Sequence, residues 1–169
     1  MNKMLTVVQA YDGATIEEIP MLDTSDVEVL LAQASALYRD HDAWLPAHQR
    51  IDVLRKLIPL MQAQKEALAL LIAREGGKPL ADAQVEVSRA ILGVAIAIKE
   101  IGELGDEDIP MDLSAAGAGR SAYTIKEPIG VVVAVSAFNH PLNLIVHQVI
   151  PAVAVGCPVI VKPAAHTPL

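Results

Sequence analysis

The distribution of charge along the chain is lopsided. From Pro128 to Val161 there is no Asp, Glu, Lys or Arg, whereas all 20 acidic residues, and every Lys and Arg except Lys162, lie at or before Glu127. Within the uncharged stretch Val131 to Val135 is β-branched except at Ala134. A run that stays apolar at every position, without alternating, predicts a strand buried on both faces, as in parallel sheets. Leu142, Ile145, Val146, Val149, Ile150 and Val153 recur at spacings of three and four. They predict a helix over 142–155, with Gly156 placed to end it. Val159 to Val161 starts a second strand that closes at Lys162-Pro163. Strand, crossover helix and parallel strand make a βαβ unit.

Upstream the pattern is helical. Residues 1–22 read as a short strand or arm with a turn at Asp12-Gly13. Asp23, Thr24 or Ser25 can cap a helix whose core face is Val27, Leu30, Leu31, Ala34 and Leu37. Pro46 opens a second, packed through Ile51, Leu54, Leu57 and Ile58 and expected to kink or restart at Pro59. A third piece carries Leu68, Leu71 and Ile72 and stops at Gly76-Gly77. A fourth, after Pro79, buries Val87, Ile91, Val94, Ala95, Ile98 and Ile101. Two short extended pieces within 107–127 flank Gly117-Ala118-Gly119 and predict a β-hairpin. This Gly-x-Gly lacks a third glycine and a strand-to-helix turn, so it is no phosphate loop.

Composition narrows the class. The chain is 53% hydrophobic and 20% charged, with a net charge of −7, which argues against nucleic acid and anionic membrane surfaces as partners. A membrane span within 128–161 is disfavoured because Asn139, His140 and Pro141 interrupt it. One cysteine excludes a disulfide framework, and no signal-peptide pattern opens the sequence; together they point to a reducing, cytoplasmic compartment.

Two polar residues fall where open α/β sheets bind ligands, beyond the carboxyl ends of strands: Asn139 after the first strand and Lys162 at the end of the second. Three motifs then identify a resemblance. Pro128-Ile129-Gly130-Val131-Val132 leads to Phe138-Asn139-His140-Pro141-Leu142; Lys162-Pro163-Ala164-Ala165-His166-Thr167-Pro168-Leu169 follows; and Glu75-Gly76-Gly77-Lys78-Pro79 lies upstream. Their order and spacing resemble the NAD(P)-dependent aldehyde dehydrogenase superfamily, over nearly the whole chain. The resemblance implies an α/β fold in which N-terminal helices lead into the first βαβ of a Rossmann-like parallel sheet. It divides the chain into an arm and helical part (1–106), a protruding hairpin of an oligomerisation element (107–127) and the start of the NAD(P)-binding sheet (128–169).

The resemblance also assigns roles. Asn139 is the oxyanion donor in the oxidation of an aldehyde through a cysteine thiohemiacetal. Ser136, Ala137 and Phe138 line the cofactor, NAD or NADP, where the family often has Pro and Trp at the last two places. Lys162 reaches the adenosine ribose. Ala165 stands where many NAD-preferring members have Glu, which leaves the choice of cofactor open. Asn143 and His147, one and two turns beyond Asn139, are candidates to face the aldehyde. Cys157, in Gly156-Cys157-Pro158 with no basic neighbour, reads as a buried structural thiol rather than the nucleophile, and two histidines seven apart make no metal site.

Members of the superfamily are well over twice this length. The resemblance therefore implies an N-terminal portion without nucleophilic Cys, general-base Glu or catalytic domain, inactive alone, and functioning in a homo-oligomer or with a complementing polypeptide. The alternative is a non-catalytic module that docks on intact dehydrogenase subunits.

Overall fold

The computed structural model describes residues 3–169. β1 (Met4–Val8) and β2 (Thr15–Pro20) pair antiparallel, with Leu5 opposite Ile19. The expected arm is thus a hairpin, turned at Gly13 (φ 72°) and at Asp12, whose Oδ1 accepts from the Ala14 N–H at 2.9 Å.

α1 (Thr24–Arg39) begins with a capping box: Asp23 Oδ1 accepts from the N–H groups of Ser25 and Asp26, and Asp26 Oδ2 accepts from the Asp23 N–H. The Ser25 hydroxyl, then the two backbone amides, hold the Asp23 carboxyl below its usual value. Only Ala34 of the predicted face is buried, and Val27 and Leu37 stand exposed. α1 touches little besides the second strand of the parallel sheet and the short 3-10 turn His41–Ala43, so most of its apolar stripe has nothing to pack against.

α2 (Ala47–Ala63) runs straight through Pro59 and breaks only at Gln64, before α3 (Lys65–Gly76). The restart expected at Pro59 therefore falls five residues later. Pro59 faces solvent, while buried Leu54 and Met61 anchor the helix on either side of it; one lost backbone bond does not outweigh that burial. Gly77 ends α3 in the left-handed conformation, φ 66°.

α4 (Leu80–Ile101) is the central helix and α5 (Pro141–Val155) lies along it. Leu54 and Met61 of α2, Ala90, Val94 and Ile101 of α4, and Val146, Ile150 and Ala154 of α5 form the main core. Ala69 and Ile72 of α3 and Ala83 and Val87 of α4 form a second. Ala95, expected in the core, is exposed, and Ala90, five residues earlier, is fully buried instead. Gly93 lets α4 and α5 approach, since a Cβ there would sit 3.2 Å from Val146 Cγ1.

β3 (Glu107–Ile109) and β4 (Ala122–Thr124) form the antiparallel hairpin read from the sequence. β5 (Val132–Val135) and β6 (Val159–Lys162) pair in parallel, Val132 opposite Val159 and Val135 opposite Lys162, with α5 as their crossover. Burial on both faces of this sheet, however, does not occur. Ala134 is 2% exposed on the α5 side, whereas Val133 and Val135 are 56% and 58% exposed. α1 touches β6 but leaves Val133 and Val135 bare.

Candidate functional site

The site is assembled where β5 and β6 end together. The Ser136 N–H donates to the Lys162 carbonyl at 3.0 Å, extending the ladder by one bond before the two chains part. One chain turns through Ala137 and Phe138 into α5, the other into Pro163. Such divergence beyond the carboxyl edge of a parallel sheet leaves a ligand crevice. Ser136 is buried, its hydroxyl 3.3 Å from the Ala137 carbonyl. Ala137, Lys162 and Ala165 are exposed. Phe138 is exposed too and meets His166 edge-on, ring centroids 6.2 Å apart. The five residues expected to line a cofactor therefore share one edge. Among the described residues Lys162 Nζ donates only to the adjacent Pro163 carbonyl, at 3.1 Å, and is free to turn towards hydroxyl groups.

Asn139 is exposed, two residues before α5 begins. It opens into a cavity of about 510 Å³ bounded also by Lys78, Arg89, Phe138 and His140. Its side-chain amide makes no hydrogen bond to any described residue, so both of its N–H donors are available. Asn143 and His147 are not brought into this cavity. The Asn143 side chain is half-buried, with Oδ1 unpartnered. His147 lines a separate, largely apolar cleft of about 420 Å³ between α4 and α5.

Beneath Asn139 lies a charged cluster that the sequence reading passed over. Glu86 of α4 has a fully buried side chain. Its Oε1 accepts from the N–H groups of Leu142 and Asn143 at 3.0 and 3.1 Å. These are orphan donors of the first turn of α5, left uncapped by the His140 side chain. Glu86 Oε2 lies 2.5 Å from Lys78 Nζ, which in turn lies 2.9 Å from His140 Nδ1. The signal was present: Ala83, Val87, Ala90 and Val94 define the buried stripe of α4, and Glu86 falls within it. A charge in a core stripe calls for a partner.

A second buried carboxylate, Glu75, accepts from the Leu169 N–H and so holds the 163–169 segment against α3. Burial pushes its carboxyl above the usual range, and the backbone bond opposes that only partly.

Cys157 is 5% exposed and follows the C-terminus of α5. Asn139 precedes the N-terminus, so the 15 residues of the helix separate them by about 22 Å. This thiol cannot share a carbonyl with Asn139. Among the described residues no helix is long and apolar enough to cross a membrane.

Comparison with known proteins places these features in a family context. The model of the aldehyde dehydrogenase family matches residues 1–169. The chain is 32% identical over 165 residues to the 3-sulfolactaldehyde dehydrogenase of Priestia aryabhattai, covering 98% of this chain and 34% of that one. It superposes on aldehyde dehydrogenase 21 from Physcomitrella patens, solved with the reaction product succinate, with a TM-score of 0.92 and 36% identity, over 99% of this chain and 34% of the other. A glyceraldehyde-3-phosphate dehydrogenase from Methanocaldococcus jannaschii, complexed with NADP, gives a TM-score of 0.89 at 31% identity, over 99% and 36%. The chain thus spans about a third of the length of the proteins it matches.

Proposed function

We propose a function from one established premise: this chain belongs to the aldehyde dehydrogenase family, and its fold is that of nicotinamide-dependent members. We infer that the 169 residues are the N-terminal, cofactor-side portion of an enzyme that oxidises an aldehyde to a carboxylic acid with NAD or NADP. Residues 1–106 form the arm and helices of the cofactor-binding part, 107–127 the hairpin of an oligomerisation element, and 128–169 the start of the nucleotide-binding sheet. A reducing, cytoplasmic setting goes with the single free thiol.

The observation that carries this reading is Asn139, its amide unpaired, in a cavity at the start of α5. When a thiolate attacks an aldehyde carbonyl, the C=O π pair moves onto oxygen. A fixed amide N–H aimed there stabilises that charge as it develops, worth about 10²–10³ in rate. Collapse of the oxyanion expels hydride, and the resulting thioester is hydrolysed to the acid, returning the thiol. Accepting the hydride is the chemistry that NAD or NADP supplies when bound. The exposed edge fits such a dinucleotide: Lys162 would donate to ribose hydroxyls, and Ser136, Ala137, Phe138 and Ala165 would form the adjoining wall. With no carboxylate at Ala165, nothing there repels a 2′-phosphate. Cys157 is buried at the far end of α5, so the attacking thiolate has to come from outside these 169 residues. Asn143 and His147 remain candidates for aldehyde contact.

The basic residues of the cavity support a substrate class, although Asp82 and Glu86 line it too. Arg89 is exposed, forms no ion pair among the described residues and bounds the same cavity as Asn139. The relatives described above are named for 3-sulfolactaldehyde and glyceraldehyde-3-phosphate, or hold succinate. We read the substrate as a short aldehyde that carries an acidic group. The direct test is NAD(P)H formation with such aldehydes. The 169-residue chain alone is expected to form none; aldehyde-dependent NAD(P)H from that chain overturns the assignment.

A second reading is favoured by the bare face at Val133 and Val135: a non-catalytic module that docks on intact dehydrogenase subunits. Co-purification with a complete homologue supports it, and a stable isolated monomer counts against it.

A further inference from the structure

We propose that Glu86 and Lys78 are positioning residues for Asn139, acting through the backbone of the α5 N-terminus; this rests on the reading of Asn139 as the oxyanion donor. The Asn139 amide has no side-chain partner to orient it, so its aim depends on how firmly its own backbone is held. Asn139 and His140 hang directly on the first turn of α5. That turn is capped not by a neighbour in sequence but by Glu86, from the middle of α4, through the N–H groups of Leu142 and Asn143. A buried carboxylate holding two amide donors is a strong, charge-assisted cap.

Lys78 completes the arrangement. It neutralises Glu86, whose side chain is fully buried, and it also reaches His140 Nδ1 at 2.9 Å. The same Nδ1 lies 3.4 Å from Glu86 Oε2, so His140, Lys78 and Glu86 meet in one cluster. The residue before α5 is therefore tied from one side by Lys78 and the residues after it from the other by Glu86. Asn139 sits at the free end of this clamp, beside the cavity. Lys78 comes from the turn after α3 and Glu86 from α4. The oxyanion donor is thus referenced to the helical core, not to the sheet edge that binds cofactor. Reacting groups must be held closely, and a misplacement of about 1 Å can cost on the order of 10²-fold in rate.

The test is a double-mutant cycle in the catalytically complete enzyme that contains these residues, with kcat and KM measured for aldehyde and cofactor. Glu86→Gln keeps an acceptor for the two N–H groups but loosens Lys78; Glu86→Leu removes the cap. We expect kcat to fall by about 10-fold for the first and about 10²-fold for the second, with both KM values within about twofold. In an Asn139→Ala background neither change should cost anything further. Additive losses, unchanged kcat, or a rise in KM alone overturn the proposal. If Glu86→Leu does not fold, the charge-balanced pair Lys78→Gln with Glu86→Gln leaves no buried ion unpaired and should show the same kcat-only loss and the same non-additivity. If Asn139→Ala itself leaves kcat unchanged, the oxyanion reading has failed rather than the positioning.

Discussion

Glu75 and Leu169, 94 residues apart, are joined by a hydrogen bond of 3.1 Å from the Leu169 N–H to Glu75 Oε1. Glu75 is only 5% exposed, and burial raises its carboxyl pKa. A raised folded-state value means that the folded chain binds more protons than the unfolded one across the window between the two. The stability linked to Glu75 is then fully present below the ordinary glutamate value of about 4.3 and is lost as pH rises through the raised value. Glu75→Gln keeps an acceptor for Leu169 but cannot titrate. Its urea midpoint should vary less with pH above about 4.3 than that of the parent chain. Parallel profiles for the two proteins would show that Glu75 is not the group responsible.

Asn139→Ala separates catalysis from folding. The side chain is exposed and unbonded, so thermal stability should stay within about 0.5 kcal/mol of the parent. Aldehyde turnover by the complete enzyme should drop by about 10²–10³, or roughly 3–4 kcal/mol. A variant that loses activity only in proportion to a loss of folded protein would refute the role.

Leu54 is 1% exposed where α2, α4 and α5 meet. Leu54→Ala should destabilise the chain by about 2–5 kcal/mol in chemical denaturation. A cost below about 1 kcal/mol would mean that the three helices do not share a packed core.

Gly77 has φ 66°, and a Cβ there would lie 3.2 Å from Ala10 Cβ of the β1–β2 turn. Gly77→Ala should cost about 1–2 kcal/mol from the left-handed backbone alone. Gly105→Ala, with nothing within 4 Å and no positive φ, is the matched control and should fall within about 0.5 kcal/mol. Equal effects at the two positions would rule out the turn geometry as the cause.

Cys157 gives a chemical readout. Buried as it is, it should react slowly with an aromatic disulfide reagent in the native chain and at once in denaturant. Fast native labelling would show that the α5–β6 junction opens readily.

The helices and the βαβ unit were legible because period and punctuation agree: Asp23 caps, Gly77 and Gly156 stop, and α5 follows its three-four spacing. Pro59 misled because a proline's effect depends on which side of the helix it occupies, and one sequence does not show which side faces solvent. Val133 and Val135 misled differently. The residues are those of a strand covered twice, and the pattern reports the environment the segment suits, not whether both covers lie within this chain. Asn139 and Lys162 stood out by their place at the ends of the two strands, before any motif gave them roles. Glu86 could be seen to stand in the buried stripe of α4, but two of its partners, the N–H groups of Leu142 and Asn143, lie 56 and 57 residues away, and no local pattern encodes that distance.

The bare valine face bears on how this chain behaves in a tube or a cell. β5 and β6 make a two-stranded sheet, so each strand has one free hydrogen-bonding edge, and Val133 and Val135 present greasy surface beside those edges. Open edges next to apolar side chains are templates for adventitious pairing. The isolated polypeptide should light up a hydrophobic dye, sediment faster as its concentration rises and be a ready client for holdase chaperones. On the reading proposed above, the chain would then need a neighbour for solubility as well as for chemistry.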